Sequence, residues 1–327
     1  MFRSTKGLSG FAQFGILLLF TGLGLILASL SQLPILVYIL PKGVPLTNSK
    51  ALEDAMMDPR NVDYTRLIQV ISTFFFFFVP AILFTWVAYG KNLFWLGFNR
   101  FFNLKQIGIA FLLIMLANFA FAPLADMTKS FLTHFPRLDL IAKNLEDAYS
   151  QLVKVLSNLK SWPEYVSALA IMAFFPALFE EVFFRGVLQN LFVKWWRNPW
   201  IAIFVASIIF SLFHASVYLF LTRLALGCLL GFIYYETKNI WINVIAHFIN
   251  NALALTQMFV MYKMQKPVDI ENLDPHIGWW WSLLALLAVG VLFYLLKKIS
   301  WPLTLKTEEK ELKLNKQKTV HNLFDNN

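Results

Sequence analysis

The sequence predicts an all-α, polytopic membrane protein with about eight transmembrane helices. Hydrophobic residues make up 58% of its 327 positions and charged residues only 14%, which lies outside the usual range for soluble globular domains. Apolar segments of about 20 residues, the length of helix that crosses a bilayer, recur along the chain. Tryptophan and tyrosine cluster near the ends of such segments, as in "KWWRNPW" and "GWWW", which is typical of a membrane interface.

The first apolar segment follows a short basic stretch that contains Arg3 and Lys6. This segment is longer than the hydrophobic region of a signal peptide, so we expect a retained helix in preference to a cleaved leader. Hydropathy places the eight spans at residues 11–33, 67–89, 106–126, 163–196, 199–216, 218–236, 239–261 and 277–297.

The connections at residues 34–66 and 127–162 are long and mixed in charge. The second contains "LIAKNLEDAYSQLVKVLSNL", whose apolar periodicity predicts an amphipathic helix on the membrane surface. Five phenylalanines at 74–78 are interpreted as lipid-facing or packing bulk. The single cysteine, Cys228, excludes a domain built on internal disulfides.

The net charge of +9 comes mainly from membrane-flanking loops and from the tail "LKTEEKELKLNKQKTVHN". This distribution favours juxtamembrane charge over a nucleic-acid partner. With the N-terminus inside, the inner loops carry more lysine and arginine than the outer loops. Both termini are therefore predicted to be cytoplasmic, in a multi-pass protein surrounded by membrane lipid.

The stretch "FEEVFFRGVLQN" places Glu180, Glu181 and Arg185 within a very apolar part of the chain. A charge at mid-membrane costs at least about 2.5 kcal/mol, so these side chains need local compensation. Glu181 and Arg185 stand at i and i+4 with the acid first, the favourable order for a helical ion pair. Glu180 is rotated by about 100° and stays free for chemistry. The alternative is a purely structural charge cluster.

The next polar group in the apolar region is His214, in "IIFSLFHAS". Glu180 lies 17 residues before Arg197, at the predicted turn, and His214 lies 17 residues after it. In an antiparallel helix pair, these positions meet at the same depth and together can hold and deprotonate a water. The alternative is a hydrogen-bonded packing histidine.

A third polar group follows in "NVIAHFINNALA", where His247 and Asn251 stand at i and i+4 on one helix face. Asn243 lies one turn earlier on the same side, and Asn250 points elsewhere. Such a stripe can donate hydrogen bonds to a developing oxyanion. Interhelical hydrogen bonding is the alternative. Because His247 is only about ten residues from the turn near Thr237, either the helices tilt or the fourth span breaks.

The three motifs together, E-E-x-x-x-R, F-x-x-x-H and H-x-x-x-N, resemble the CAAX protease and bacteriocin-processing family of intramembrane endopeptidases, which includes the type II CAAX prenyl endopeptidases. The resemblance covers about residues 163–260. It implies an all-helical membrane fold with a catalytic cavity between these spans. It also makes a bacterial cytoplasmic membrane the default location.

The resemblance also implies roles for the site residues. Glu180 would be the general base that activates water, and His214 would help to hold that water. Glu181 and Arg185 would organise the motif, while His247 and Asn251 would stabilise the oxyanion. The substrate would be a membrane-associated protein or peptide, either a CAAX-type prenylated C-terminus or a bacteriocin-like peptide.

Two mechanisms of peptide hydrolysis stay open at this point. A glutamate can activate water and later protonate the leaving amine without a metal. Alternatively, Glu180, His214 and His247 would supply three ligands to a catalytic zinc with an open fourth position, although no H-E-x-x-H motif is present. A covalent mechanism is disfavoured, because Ser211 and Ser216 flank His214 but are not placed towards Glu180.

Two other classes of function compete with hydrolysis. A proton-coupled transporter would use buried Glu, Arg and His as a relay, and it predicts polar groups in both halves of the chain. A non-catalytic membrane adaptor, such as a bacteriocin-immunity protein, would keep the cluster for packing. We divide the chain into N-terminal spans and loops (1–162), a catalytic core (163–260), and a last span with a basic tail (261–327).

Overall fold

The computed structural model describes residues 4, 6–157, 159–265 and 278–324, with side chains described as far as residue 314. Arg3 and the side chains of the tail beyond residue 314, on which the orientation prediction partly depends, lie outside this description. Within it, the chain is helical and contains no β-strand, which confirms the all-α class. The helices are α1 (Gly10–Ile39), α2 (Ser49–Met57), α3 (Val62–Thr73), α4 (Val79–Tyr89), α5 (Leu104–Phe121), α6 (Pro123–Leu132), α7 (Pro136–Leu156), α8 (Trp162–Ala168), α9 (Phe175–Glu181), α10 (Asn190–Trp196), α11 (Pro199–Leu212), α12 (Phe220–Thr237), α13 (Ile240–Lys263) and α14 (Trp279–Phe324).

Some of these helices run on into one another. Wider π-helical turns at Phe74–Phe78, Leu169–Phe174 and Val182–Gln189 join α3 to α4, α8 to α9, and α9 to α10. Six continuous helices in the described residues are long and apolar enough to cross a membrane, as in a multi-pass membrane protein. They are Gly10–Ile39, Pro59–Tyr89, Leu104–Leu132, Trp162–Trp196, Ile240–Lys263 and Trp279–Leu314.

The predicted number of eight spans is not confirmed, because α11 and α12 fall short of this criterion. Helix α11 has 14 residues. Its length of roughly 21 Å is well under the roughly 30 Å hydrocarbon core. The predicted span 199–216 ends earlier, at Leu212, so His214 lies in the turn before α12. The last helix extends beyond the predicted end at residue 297 and continues to Phe324.

Two sharp turns form helical hairpins in the part of the chain that carries the site residues. One lies between α10 and α11, and the other between α12 and α13. Arg197 adopts a left-handed conformation with φ of 57°, and the side chain of Asn198 caps α11 just before Pro199. Lys238 is also left-handed, with φ of 48°, and Asn239 caps α13. A left-handed residue followed by an Asn cap ends one helix and starts the next without a long loop.

The hydrophobic core has two main parts. The larger one surrounds the span that carries the glutamates, and Phe77 from the phenylalanine run is buried in it at 7% exposure. There its ring makes a tilted contact with Phe183 and an edge contact with Phe213, so this phenylalanine serves as packing bulk. The second part lies where α5 packs against α13 and α14. Helix α7 contains residues 140–156 of the predicted amphipathic segment and packs against α2, α3 and α6.

Candidate active site

The two glutamates lie at the end of α9, between two π-helical turns in an unbroken span. Each π-helical turn accommodates an extra residue and so changes which side chains face the neighbouring helices. The span therefore neither breaks nor ends at the site. Gly186 lies in the second π-helical turn, where a Cβ atom would stand 2.9 Å from the backbone oxygen of Leu96, so its missing side chain allows this close approach.

Glu181 is fully buried and accepts hydrogen bonds from three side chains. Arg185 Nη1 lies 2.8 Å from Glu181 Oε1, which is the ion pair that the i, i+4 spacing predicted. His247 Nδ1 lies 2.8 Å from the same oxygen. The other oxygen, Oε2, accepts a hydrogen bond of 3.1 Å from Asn243 Nδ2. Glu181 therefore joins the E-E-x-x-x-R motif to α13.

Arg185 is also buried, at 2% exposure, and it contacts two further elements. Its Nη2 donates a hydrogen bond of 3.0 Å to the carbonyl oxygen of Gly227 in α12. Its guanidinium lies 4.7 Å from the ring centroid of Phe210 in α11, a cation–π contact that stabilises a desolvated cation. Arg185 thus ties together three helices around the glutamates.

Glu180 has a different environment from Glu181. Its side chain is largely buried, yet Oε2 has no hydrogen-bond partner among the described residues. The nearest cationic or ring nitrogen is His247 Nε2, at 3.8 Å from Oε2. This distance is too long for a hydrogen bond. An unsatisfied buried carboxylate oxygen is costly to a fold, so it marks a place where water or substrate can bind.

The contact with Glu181 sets the tautomer of His247. An ionised carboxylate only accepts hydrogen bonds, so we assign the proton to Nδ1 of the imidazole. In the neutral ring, Nε2 then presents a lone pair towards Glu180. The ring also makes an edge contact with Phe210, with centroids 5.7 Å apart.

His214 makes no direct hydrogen bond to Glu180 among the described residues, and the prediction that the two together hold a water stays a prediction. Its Nδ1 lies 2.8 Å from the carbonyl oxygen of Phe210, and its ring packs on the Phe210 ring with centroids 4.6 Å apart. Equal sequence distance from the turn predicted the pair, but α11 ends two residues before His214 and the chain leaves the helical path. The phenylalanine of F-x-x-x-H contacts both histidines and Arg185, a role that the sequence pattern did not indicate.

The asparagines of α13 have three different environments. Asn243 donates to Glu181 and, at 2.7 Å, to the carbonyl oxygen of Leu230. Asn250 accepts an interhelical hydrogen bond of 3.3 Å from Asn118 in α5. Asn251 is half-buried, and no hydrogen bond to it is found in the part of the chain that the structure describes. Its predicted role at the oxyanion stays a prediction.

Arg223 is a site neighbour that the sequence analysis missed. It lies in α12, and its Nη1 donates a hydrogen bond of 3.1 Å to the carbonyl oxygen of His214. An isolated cation in the otherwise apolar stretch "YLFLTRLALG" was the pattern that could have found it.

Glu180, His214 and His247 are the three ligands that a zinc mechanism would need. Among the described residues, no three or more His, Cys, Asp or Glu side chains converge as a set of metal ligands. Nδ1 of His247 is bonded to Glu181 and Nδ1 of His214 to the carbonyl oxygen of Phe210, so Nε2 is the atom that each ring could offer to a metal. Glu180, His214 and His247 are nevertheless not gathered into a three-ligand set in this arrangement of the described residues.

Comparison with known proteins adds a family assignment for the core. Residues 162–253 match the family model described as type II CAAX prenyl endopeptidase, Rce1-like. Comparisons with curated proteins and with solved structures return no match. The matched range contains the glutamate pair, both histidines and Asn251, all of which carried the resemblance. The match over residues 162–253 is consistent with the CAAX protease family.

Proposed function

We propose that the protein is an intramembrane endopeptidase in which Glu180 activates the water that cleaves a peptide bond. The single observation that carries this proposal is the contrast between two adjacent glutamates. Glu181 is saturated by Arg185, His247 and Asn243, whereas Glu180 keeps a buried oxygen without a partner beside His247. A carboxylate with unused acceptor capacity in an apolar site is suited to take a proton from water.

The geometry of Glu180 and His247 suits one shared water. Both facing atoms, Oε2 and Nε2, are acceptors at 3.8 Å from each other. A water oxygen about 2.8 Å from each atom would subtend an angle of about 85°, close enough to the water bond angle for it to donate one hydrogen to each. Its lone pairs would then point away from both groups and towards a substrate carbonyl.

The reaction follows in two steps. The water oxygen bonds to the carbonyl carbon while one of its protons moves to Glu180, and the carbonyl electron pair moves to oxygen to give a tetrahedral oxyanion. The protonated Glu180 then gives this proton to the amide nitrogen as the C–N bond breaks, which yields a carboxylic acid and an amine. The free carboxylate is restored at the end.

The neighbouring residues would support these steps. Glu181 holds the proton of His247 on Nδ1, and this keeps Nε2 available to the water. We propose that Asn251, one turn beyond His247, donates a hydrogen bond to the oxyanion. His214 packs on the ring of Phe210, which also contacts His247, and would line the same space. This assigns the water contact to His247, which the family resemblance gave to His214.

We propose a membrane-associated protein or peptide as substrate, with a prenylated C-terminus as the first class to test. The family description names prenyl endopeptidases, which supports this choice. A fluorogenic peptide carrying an attached farnesyl chain and its unmodified counterpart distinguish the two forms of substrate. Faster cleavage of the unmodified peptide would contradict a requirement for the lipid without affecting the assignment of the base.

The test of the base is a cleavage assay on the purified protein with Glu180→Gln. Removing a general base lowers the rate by about 10²- to 10⁴-fold. Glu164→Gln is the matched control, since Glu164 lies at the start of the same membrane span and caps the backbone at Lys160. Wild-type cleavage by Glu180→Gln, or an equal loss in the control, would overturn the assignment.

A further inference from the structure

Arg223 has a positive charge that no carboxylate neutralises among the described residues. Its side chain is half-buried in α12. Its contacts are the hydrogen bond from Nη1 to the carbonyl oxygen of His214, at 3.1 Å, and a cation–π contact in which the guanidinium lies 4.8 Å from the ring centroid of Tyr149 in α7. The buried arginine of the site, Arg185, is by contrast paired with Glu181.

A guanidinium has five N–H donors, and only one of them is engaged in the contacts described for Arg223. A partly buried charge without an ionic partner is costly and is retained where it pairs or binds. Because the side chain is half-buried and not sealed in the core, its remaining donors are accessible to a bound molecule. Arg223 is therefore a cation prepared for an anionic partner.

The position of Arg223 connects it to the site of hydrolysis. Its hydrogen bond holds the backbone of His214. Helix α7 packs over the same turn, where Glu146 accepts a hydrogen bond of 2.7 Å from Ser216. Arg223 thus lies between His214 and α7.

We propose that Arg223 binds a carboxylate of the substrate and so fixes the distance between that carboxylate and the peptide bond that is cut. This inference rests on the proposed endopeptidase function and adds a specificity-determining residue to it. The planar guanidinium can bind a carboxylate through two parallel hydrogen bonds, which a lysine cannot reproduce. The cation–π contact with the Tyr149 ring restricts the position of the guanidinium.

A peptide offers this chemistry in two forms, a free C-terminus or an acidic side chain. Three peptides of one core sequence separate them: one with a free C-terminal carboxylate, one with a C-terminal amide, and one amidated peptide with glutamate as its last residue. We expect the wild type to prefer the free carboxylate over the amide by about 10- to 100-fold in kcat/KM, the range for a charged hydrogen-bonded contact. Equal rescue by the glutamate peptide would assign the contact to carboxylates in general.

In Arg223→Gln, the preference for the carboxylate, measured as the ratio of kcat/KM for the free and the amidated peptide, should fall to about one. Arg137→Gln is the control for a general loss of positive charge, because Arg137 is exposed at the start of α7, and it should keep the wild-type preference. Tyr149→Phe, which keeps the ring, should do the same. If Arg223→Gln does not fold, Arg223→Lys serves in its place and should show a reduced preference.

A binding measurement separates this inference from the proposed mechanism. The Glu180→Gln variant binds peptide without rapid turnover, so fluorescence polarisation with it should show the same carboxylate preference. The double variant Glu180→Gln/Arg223→Gln should show none. If the wild type cleaves the peptides with no preference between carboxylate and amide, or if Arg223→Gln retains the full preference, the role of Arg223 is refuted and the proposed function stands. If the wild type cleaves none of the peptides, with or without an attached farnesyl chain, and the variant shows no preference in binding, both are refuted.

Discussion

The two adjacent glutamates should respond in opposite ways to the same isosteric change. Replacing Glu181 by glutamine removes the negative charge that holds Arg185, which is 2% exposed. The new amide group also places N–H donors where Asn243 and His247 now donate. Replacing Glu180 by glutamine breaks no hydrogen bond found for its buried Oε2 atom, because that oxygen has no partner.

The size of each effect follows from these contacts. Breaking a buried ion pair by removing one partner costs about 3–5 kcal/mol, since the remaining charge stays buried. We therefore expect Glu181→Gln to lower the free energy of unfolding by about that amount. For Glu180→Gln the change in the free energy of unfolding should stay within about 1 kcal/mol, because shape is kept and no pair is lost.

The measurement combines stability and activity on the same samples. Tryptophan fluorescence follows thermal unfolding in detergent, and a fluorogenic peptide reports cleavage. Glu181→Gln should melt roughly 10 °C lower, taking about 2–4 °C for each kcal/mol. Glu180→Gln should melt with the wild type and yet lose cleavage by about 10²- to 10⁴-fold.

Two results would refute the assignment of different roles to the two glutamates. If Glu180→Gln melted as low as Glu181→Gln, the unpaired oxygen of Glu180 would have an essential structural partner in the membrane, and its loss of activity would report unfolding. A stable Glu181→Gln variant would show equally that the Arg185 charge is compensated elsewhere. Either outcome would return the cluster to the structural alternative.

Further predictions concern metal ions, the packing of α1 and the stability of α7. Chelation of metal ions should leave the cleavage rate unchanged, as measured on a sample whose metal content is determined in parallel; loss of activity that zinc restores would contradict the metal-free proposal. Gly24→Ala would place a Cβ atom 2.2 Å from the backbone oxygen of Phe75, so its melting temperature should fall by the equivalent of about 1–3 kcal/mol. Gly22→Ala, with no atom within 4 Å of the added carbon, should melt with the wild type. The Lys143 ammonium holds the pKa of Asp139 below its ordinary value of 3.8. The stabilisation of α7 by the contact between Lys143 and Asp139 should be complete above pH 3.8 and should be lost as the pH falls through the lower pKa of Asp139 in the folded protein. Amide hydrogen exchange in α7 measures this stabilisation. Loss of protection near neutral pH would contradict the prediction.

The fold class and the limits of several helices were predictable from the sequence because they depend on local properties. Apolar length predicts membrane-spanning helices directly. The turn at Arg197 is encoded by the following Asn-Pro pair, which caps and starts the next helix. The number of spans was less predictable, since α11 is apolar but shorter than the bilayer core.

The candidate site divides in the same way. The ion pair between Glu181 and Arg185 lies within one span, where spacing in sequence decides which side chains meet. The partner of Glu180 lies on another helix. Matched depth predicted His214, and the structure brings His247 to 3.8 Å instead. Depth along a hairpin does not specify the rotation of each helix or the point at which it ends.

The sequence by itself determined that this is a helical membrane protein, that Glu181 and Arg185 can neutralise each other, and that three motifs resemble one family of endopeptidases. Only the tertiary structure decided that His247 and Asn243 saturate Glu181 while Glu180 keeps a free acceptor. The physical reason is that contacts within a helix repeat with its own period. Contacts between helices depend on rotation, tilt and π-helical turns, which packing of the whole molecule fixes together.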